Sequence, residues 1–401
     1  MTTGGRVIRP SREGQGRPTF LELFLDLVYV FAFTRLSSRL VGDFTTQRRV
    51  IITETGETVV LLLALWLIWI YAARMTSVFD PRSPIIQVNV FVIMFGSMIM
   101  AVALPHAFGA RGLTFAVTYV VVQVTRPLLL LIAIRGPQRI IPIRGLCWAG
   151  VSAVPWILGA AIVPQSPARG VLWTIALVMD YVGFALGWRV PGLGHTRPSD
   201  WTLSPEHLAE RYQQFVIITL GESILVMGAS FARTFDSSRV VAIALSFTTT
   251  VLIFRIYFYR AGAVLPLAID AGEHPGDFAW SGTYTHLVMV AGIFATGSGY
   301  ELVIDRPFGH LDPAWLGVIF GGPALFLIGR SRFEYEVFNR VSLSRPLGVV
   351  ALGVLVPAML PLPPVAATGA AAAVLAGVAV RDMIRGRKRP EETAAPPPHA
   401  A

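Results

Sequence analysis

The sequence predicts an all-α, polytopic transmembrane helical bundle of about twelve spans, with ten to twelve as the range its C-terminal segments allow. Three observations predict it. Of the 401 residues 54% are hydrophobic and only 14% charged, and the mean hydropathy of +0.62 lies well outside the range of water-soluble globular chains. Apolar runs such as Val59 to Tyr71 and Val120 to Ile134 are unbroken, whereas a transmembrane β-barrel would show short alternating segments with a polar lumen face. Finally, once the runs are taken as spans, the basic residues fall into alternate loops.

Twelve segments are long or apolar enough to be read as spans: 20–40, 56–74, 85–105, 113–134, 142–163, 169–189, 207–231, 239–259, 281–303, 312–329, 346–361 and 364–380. The last two are separated by Pro361, Pro363 and Pro364, as a tight hairpin requires. Ahead of the first span, residues 1–19 are polar and Gly/Arg-rich without the apolar core of a signal peptide, and are expected to form a disordered cytoplasmic tail. Residues 20–190 then form a first six-helix half, 191–206 a cytoplasmic linker, 207–380 a second half, and 381–401 a basic and then Pro/Ala-rich tail. One set of alternate loops carries 21 Arg and Lys residues and the opposite set eight, which places both termini in the cytoplasm of a bacterial inner membrane.

The two halves show a weak internal similarity. Glu22 and Val28 lie against Glu210 and Val216 at an offset of 188, and Ile70-Tyr71-x-x-Arg74 lies against Ile256-Tyr257-x-x-Arg260 at an offset of 186. Six spans per half is an even number, so a duplication would give two repeats of parallel orientation.

The charge of +9 does not indicate a nucleic-acid partner, because the basic residues are scattered between apolar runs and form no single stripe. Membrane lipids, and an unidentified small molecule or ion as substrate, are the partners expected. Cys147 is the only cysteine and sits in an apolar run, where it is expected to be a small buried hydrophobe. One lysine against 32 arginines fits a GC-rich bacterial genome.

Ionisable side chains inside spans carry the chemical information, since each needs a partner, a water-filled cavity or a place near the interface. Glu22 stands three residues after Thr19, a capping-box spacing at the start of the first helix, so capping and function are both open to it. Asp26 shares its helix face one turn deeper. A second group is His207, Glu210 and Arg211, followed by Leu220-Gly221-Glu222-Ser223; Glu210 and Arg211 can be interfacial, but Glu222 falls near the middle of its span. Asp180 and Arg126 lie near the midpoints of the sixth and fourth spans and are expected to pair, either as architecture or as part of a site. His286 opens the ninth span and can relay protons. No P-loop, dinucleotide fingerprint, nucleophile elbow or metal-ligand spacing is present, so the sequence indicates no cofactor, no metal and no enzyme activity.

Two stretches resemble the LtrA (low temperature requirement A) family of bacterial membrane proteins. Glu22-Leu-Phe-Leu-Asp26-Leu-Val-Tyr-Val-Phe31 is similar to that family's opening run, and His207-Leu-Ala-Glu210-Arg211 with Leu220-Gly221-Glu222-Ser223 to its H-F-x-E-R and L-G-E-S elements. Weaker similarity runs through Ala103 to Phe108 and Tyr284 to Gly292, so that residues 19–303 carry the resemblance. It implies a membrane protein named for a cold-growth phenotype, without a settled activity. The function expected is a secondary transporter or permease in which Asp26, Glu210 and Glu222, brought together across the interface of the two halves, bind a cation or carry protons. The alternative is a non-transporting, lipid-responsive or scaffold component that supports growth at low temperature.

Overall fold

The computed structural model describes residues 17–46, 51–161, 167–197, 200, 204–233, 236–259, 264–265, 267, 275–388 and 395–397. The tails expected to be disordered, 1–16 and most of 389–401, and part of the linker lie outside the described residues. Among the described residues twelve helices of 16 residues or more occur, one for each predicted segment: α1 Phe20–Thr46, α2 Ile51–Val78, α3 Pro84–Ala103, α4 Gly112–Ala133, α5 Ile140–Ala161 and α6 Pro167–Ala185. They continue with α7 Pro205–Arg233, α8 Ser237–Tyr257, α9 Pro275–Asp305, α10 Gly321–Phe338, α11 Ser344–Met359 and α12 Pro364–Lys388. Short helical turns at Pro313–Trp315 and Leu316–Ile319 lead into α10. No strand occurs among the described residues, as expected where lipid offers backbone groups no alternative partner.

Helix boundaries follow from local chemistry. Proline opens α3, α6, α7, α9 and α12, a position whose amide lacks an intrahelical acceptor. Asp236 caps α8 by accepting from the Ser238 amide and hydroxyl, bonds that hold its exposed carboxyl below the usual carboxylate range. Asn339 ends α10 in the left-handed region at φ 49°. Ten of the helices, α2 to α10 and α12, are long and apolar enough to cross a membrane. Of the other two, α1 has 27 residues but carries Glu22, Asp26, Arg35, Arg39 and Asp43, and α11 has only 16. The largest differences from the predicted spans lie late in the chain, where α10 runs on from 329 to Phe338 and α12 from 380 to Lys388.

The chain divides into two compact units, Met1–Arg39 with Arg49–Arg211, and Leu40–Arg48 with Tyr212–Ala401. Within unit 1, α2 packs on α3, α4 and α6, and α3 to α6 pack consecutively. Within unit 2, α8 packs on α9 and α12, and α9 to α12 pack consecutively. The same neighbour order thus appears six helices later.

Aromatic rings fill the interior of unit 1. Trp66, Trp69, Trp156 and Trp173 are buried, and Trp156 lies 5.2 Å from Trp173 and 4.4 Å from Tyr119 between ring centroids. Outward faces are equally apolar: Phe95 is 62% and Val354 71% exposed, the pattern of helices whose solvent is lipid. Cys147 belongs to that outward set. Its side chain is exposed on α5, not buried as its apolar surroundings in sequence suggested, because lipid-facing and core-facing positions are alike in polarity.

In unit 2, α9 and α10 meet through glycine. A Cβ on Gly292 would stand 2.4 Å from the Phe326 amide nitrogen, and one on Gly322 2.7 Å from that of Thr296. Backbone cannot move aside as a side chain can, so Gly292→Ala is expected to lower unfolding stability by roughly 1–3 kcal/mol, with Gly292→Leu worse. Detergent-resistance melting of the two variants checks this; melting like the unsubstituted protein would mean that the helices can separate freely.

Candidate functional site

Four of the residues singled out in the sequence meet in unit 1. Glu22 and Asp26 stand one turn apart on α1, as do His207 and Arg211 on α7, and all four side chains are fully buried. The pairs face each other rung by rung. Arg211 donates through Nη1 to Asp26 Oδ2 at 2.6 Å and through Nη2 to Oδ1 at 2.7 Å, the two-pronged geometry that suits a guanidinium to a carboxylate. Trp69 of α2 adds an indole N–H to Asp26 Oδ1 at 3.0 Å, and its ring lies 5.8 Å from the guanidinium carbon. One turn away, His207 Nε2 is 2.9 Å from Glu22 Oε1 and 3.2 Å from Oε2.

Glu22 also performs the capping role its spacing predicts. The Thr19 amide donates to its Oε2 at 2.8 Å and the Thr19 hydroxyl at 2.9 Å. Capping and pairing therefore coexist in one carboxylate. The remaining imidazole nitrogen, Nδ1, lies 2.9 Å from the Ser77 hydroxyl, which itself donates to the Ala73 carbonyl at 2.7 Å. If the single Ser77 hydrogen stays on the Ala73 carbonyl, His207 Nδ1–H donates to the Ser77 oxygen and a further proton occupies the contact between Nε2 and Glu22. In that arrangement two carboxylates, one guanidinium and the shared proton carry no net charge, a condition under which ionisable groups tolerate burial.

The other singled-out residues stand elsewhere. Glu210 is half-buried near the start of α7. Asp180 makes no salt bridge to Arg126, although each lies within electrostatic reach of the other. Its Oδ2 accepts from the Tyr119 hydroxyl at 2.9 Å and the Trp156 indole at 3.3 Å, and Gln123 donates to Tyr119 in turn. Arg126 instead lies 3.8 Å from the centre of the Tyr71 ring. Aromatic donors and an aromatic face have thus taken the places that each group was expected to fill for the other.

In unit 2, His286 is buried and fully engaged. Its Nδ1 donates to the Gly282 carbonyl at 2.7 Å, its Nε2 is 3.0 Å from the Tyr257 hydroxyl, and its ring stacks on Tyr212 at 4.2 Å. Glu222 is the contrast. Its side chain has no exposed surface, and neither carboxylate oxygen has a hydrogen-bond partner among the described residues. Its electrostatic neighbour is another acid, Glu301, which accepts from Arg233 at 2.9 Å. Beside it Ser223 touches Gly297 of α9, where a Cβ would stand 2.5 Å from the serine hydroxyl. Also in unit 2, a cavity of about 10 Å³ is lined by the hydroxyl-bearing Thr249, Thr296, Tyr300 and Thr368, about the room that one water needs.

Several partners escaped the sequence reading. Trp69 lies in a run whose composition signals only a span and Ser77 three residues beyond the end of that span, and nothing in their spacing marks them. Buried Glu334, Glu336 and Asp382 lie beyond the ends of the predicted spans, where nothing in the sequence signals their burial. Three buried arginines are tied to backbone carbonyls. Arg169 donates to those of Gly159, Ala160, Ala107 and Gly109, Arg144 to that of Leu193, and Arg330 to those of Ile256 and Tyr259.

No solved structure matches this chain. Among curated proteins it is 35% identical over 327 residues to the uncharacterized protein RA0937 of Rhizobium meliloti (strain 1021), covering 80% of this chain and 78% of that one. The model of the family described as bacterial low temperature requirement A protein (LtrA) matches residues 17–380, which include both rungs of the buried cluster and Glu222. With ten long apolar helices in the same span of sequence, the chain belongs to the LtrA family and is a many-span helical membrane protein.

Proposed function

We propose that this protein is a proton-coupled secondary transporter or permease, multi-pass in the bacterial inner membrane with both termini cytoplasmic, and that Glu222 is the group that carries the coupling proton. One observation supports this above the others: a fully buried carboxyl group with no hydrogen-bond donor and no cation beside it among the described residues. An ionised carboxylate left so costs several kcal/mol or more, so Glu222 holds a proton while enclosed and needs water or a cation to release it. Proton coupling requires that alternation. The sequence carries no nucleotide-binding motif, which leaves an ion gradient as the source of energy.

Asp26, the other acid placed deep by the sequence, has a different part in this reading. Its two-pronged bond to Arg211 makes it a fixed element of unit 1 and leaves the mobile proton to Glu222. The buried ion pairing of Glu22 with His207 and of Asp26 with Arg211 is also the observation that favours the second reading, a non-transporting membrane component supporting growth at low temperature.

The test is Glu222→Gln, which keeps the shape and removes the titrating proton. Proteoliposomes enclosing a pH-sensitive dye, screened over small-molecule and ion candidates, are expected to show uptake with proton movement that the variant loses. Infrared difference spectra between acidic and alkaline detergent solutions should show a carboxylic C=O band that the variant lacks. Unchanged pH-dependent uptake in Glu222→Gln would overturn the proposal.

A further inference from the structure

Unit 2 carries a second kind of site, at the end where α10, α11 and α12 come together. A cavity of about 500 Å³ opens between the start of α11 and the last turns of α12, with Ser342, Ser344, Arg381, Asp382 and Arg385 around it and Leu343 and Ile384 at its apolar side.

The acids there are already engaged. Arg345, only 2% exposed, donates to Asp382 Oδ2 at 2.9 Å and to Glu334 Oε2 at 2.5 Å. Asp382 also accepts from the Ser344 hydroxyl at 3.4 Å, and Glu334 from the Ser342 hydroxyl at 2.6 Å and amide at 2.9 Å. Arg340, 3.5 Å from Glu334, balances the second acid. Two carboxylates and two guanidiniums thus neutralise one another around the cavity. What remains is positive. Arg385 donates to the Ser342 hydroxyl, an uncharged partner, and exposed Arg381 makes no hydrogen bond or ion pair among the described residues. The N-terminus of α11, with its partial positive charge, opens at the same place.

Beside this positive pocket the surface is apolar. Leu343 is 74%, Leu347 52% and Ile384 48% exposed. Two uncompensated guanidiniums with an alkyl surface next to them match a molecule that is anionic at one end and hydrocarbon at the other. We propose that this cavity binds the phosphate headgroup of an anionic phospholipid, with Arg381 and Arg385 on the phosphate and an acyl chain along Leu343, Leu347 and Ile384.

The full chain, reconstituted in phosphatidylcholine nanodiscs with a graded fraction of phosphatidylglycerol, tests this by thermal unfolding and by native mass spectrometry of retained lipid. Phosphatidylglycerol is expected to raise the unfolding temperature and to remain bound. Arg381→Gln, at a side chain without a partner among the described residues, should weaken retention severalfold, and Arg381→Gln with Arg385→Gln roughly tenfold or more, on the scale of interfacial attraction between basic side chains and anionic lipid. Equal retention of phosphatidylcholine, retention unchanged in Arg381→Gln, or an equal stabilisation by inorganic phosphate in pure phosphatidylcholine nanodiscs would each overturn the assignment to a lipid.

Discussion

Asp26→Asn is expected to lower the unfolding stability of the protein by about 3–5 kcal/mol, the range for removing one partner of a buried ion pair. The substitution leaves the Arg211 guanidinium enclosed without its counter-charge, since both side chains are fully buried and the pair is joined by two bonds of 2.6 and 2.7 Å. Most of the loss comes from the charge left behind. Replacing both members by apolar residues of similar volume, Asp26→Leu with Arg211→Met, should therefore recover much of it, and the double variant should be more stable than either single one. Thermal melting of the three variants in one detergent decides this; a double variant as unstable as the sum of the singles would show that the two side chains act independently.

The second large effect is expected at Arg169. Its guanidinium lies in the first turn of α6 and donates to the Gly159 and Ala160 carbonyls in the last turn of α5, and to Ala107 and Gly109 between α3 and α4, at 2.8 to 3.4 Å. Terminal carbonyls of a helix have no intrahelical donor, and each buried one left unpaired costs about 1–3 kcal/mol. Arg169→Met retains the alkyl stem and removes every donor, so a loss of roughly 3 kcal/mol or more should follow. Arg169→Lys is expected to recover only part of this, because one ammonium cannot reach the carbonyls that a planar fork spans. Equal stability of the Lys variant and the unsubstituted protein, measured by detergent-induced unfolding, would contradict the geometric account.

The sequence makes the number and order of helices readable because lipid imposes a simple requirement: about twenty apolar residues, with every backbone group satisfied inside its own helix. It also shows that Glu22 and Asp26 share a face, and that His207 and Arg211 do. It does not show that these faces meet. The partners are 185 residues apart in the chain, and helical periodicity says which side of a helix is polar without naming its neighbour. For the same reason the sequence suggests Asp180 and Arg126 as a pair, yet the direct partners are Tyr119 and Trp156 for Asp180 and the Tyr71 ring for Arg126. Cys147 illustrates the other blind spot. In water an apolar residue is pressed inward, but in a bilayer the outside is apolar too, and composition no longer separates core from surface.

The internal similarity is informative where it stops. At the offset of 188 that aligns Glu22 with Glu210, Asp26 falls on Gln214 and Glu222 on Thr34. The deep acids are thus not copies of one another, in keeping with the different surroundings of Asp26 and Glu222.

The two rungs between α1 and α7 constrain more than charge. A single contact lets two rods pivot about it and slide until the side chains run out of reach. Two contacts one turn apart, 22 to 207 and 26 to 211, remove both freedoms at that point, because a slip of one residue along either helix swings its polar pair about 100° away from the other. The cluster thus works as a two-pin key in unit 1, which fits in one register and loses both pins together.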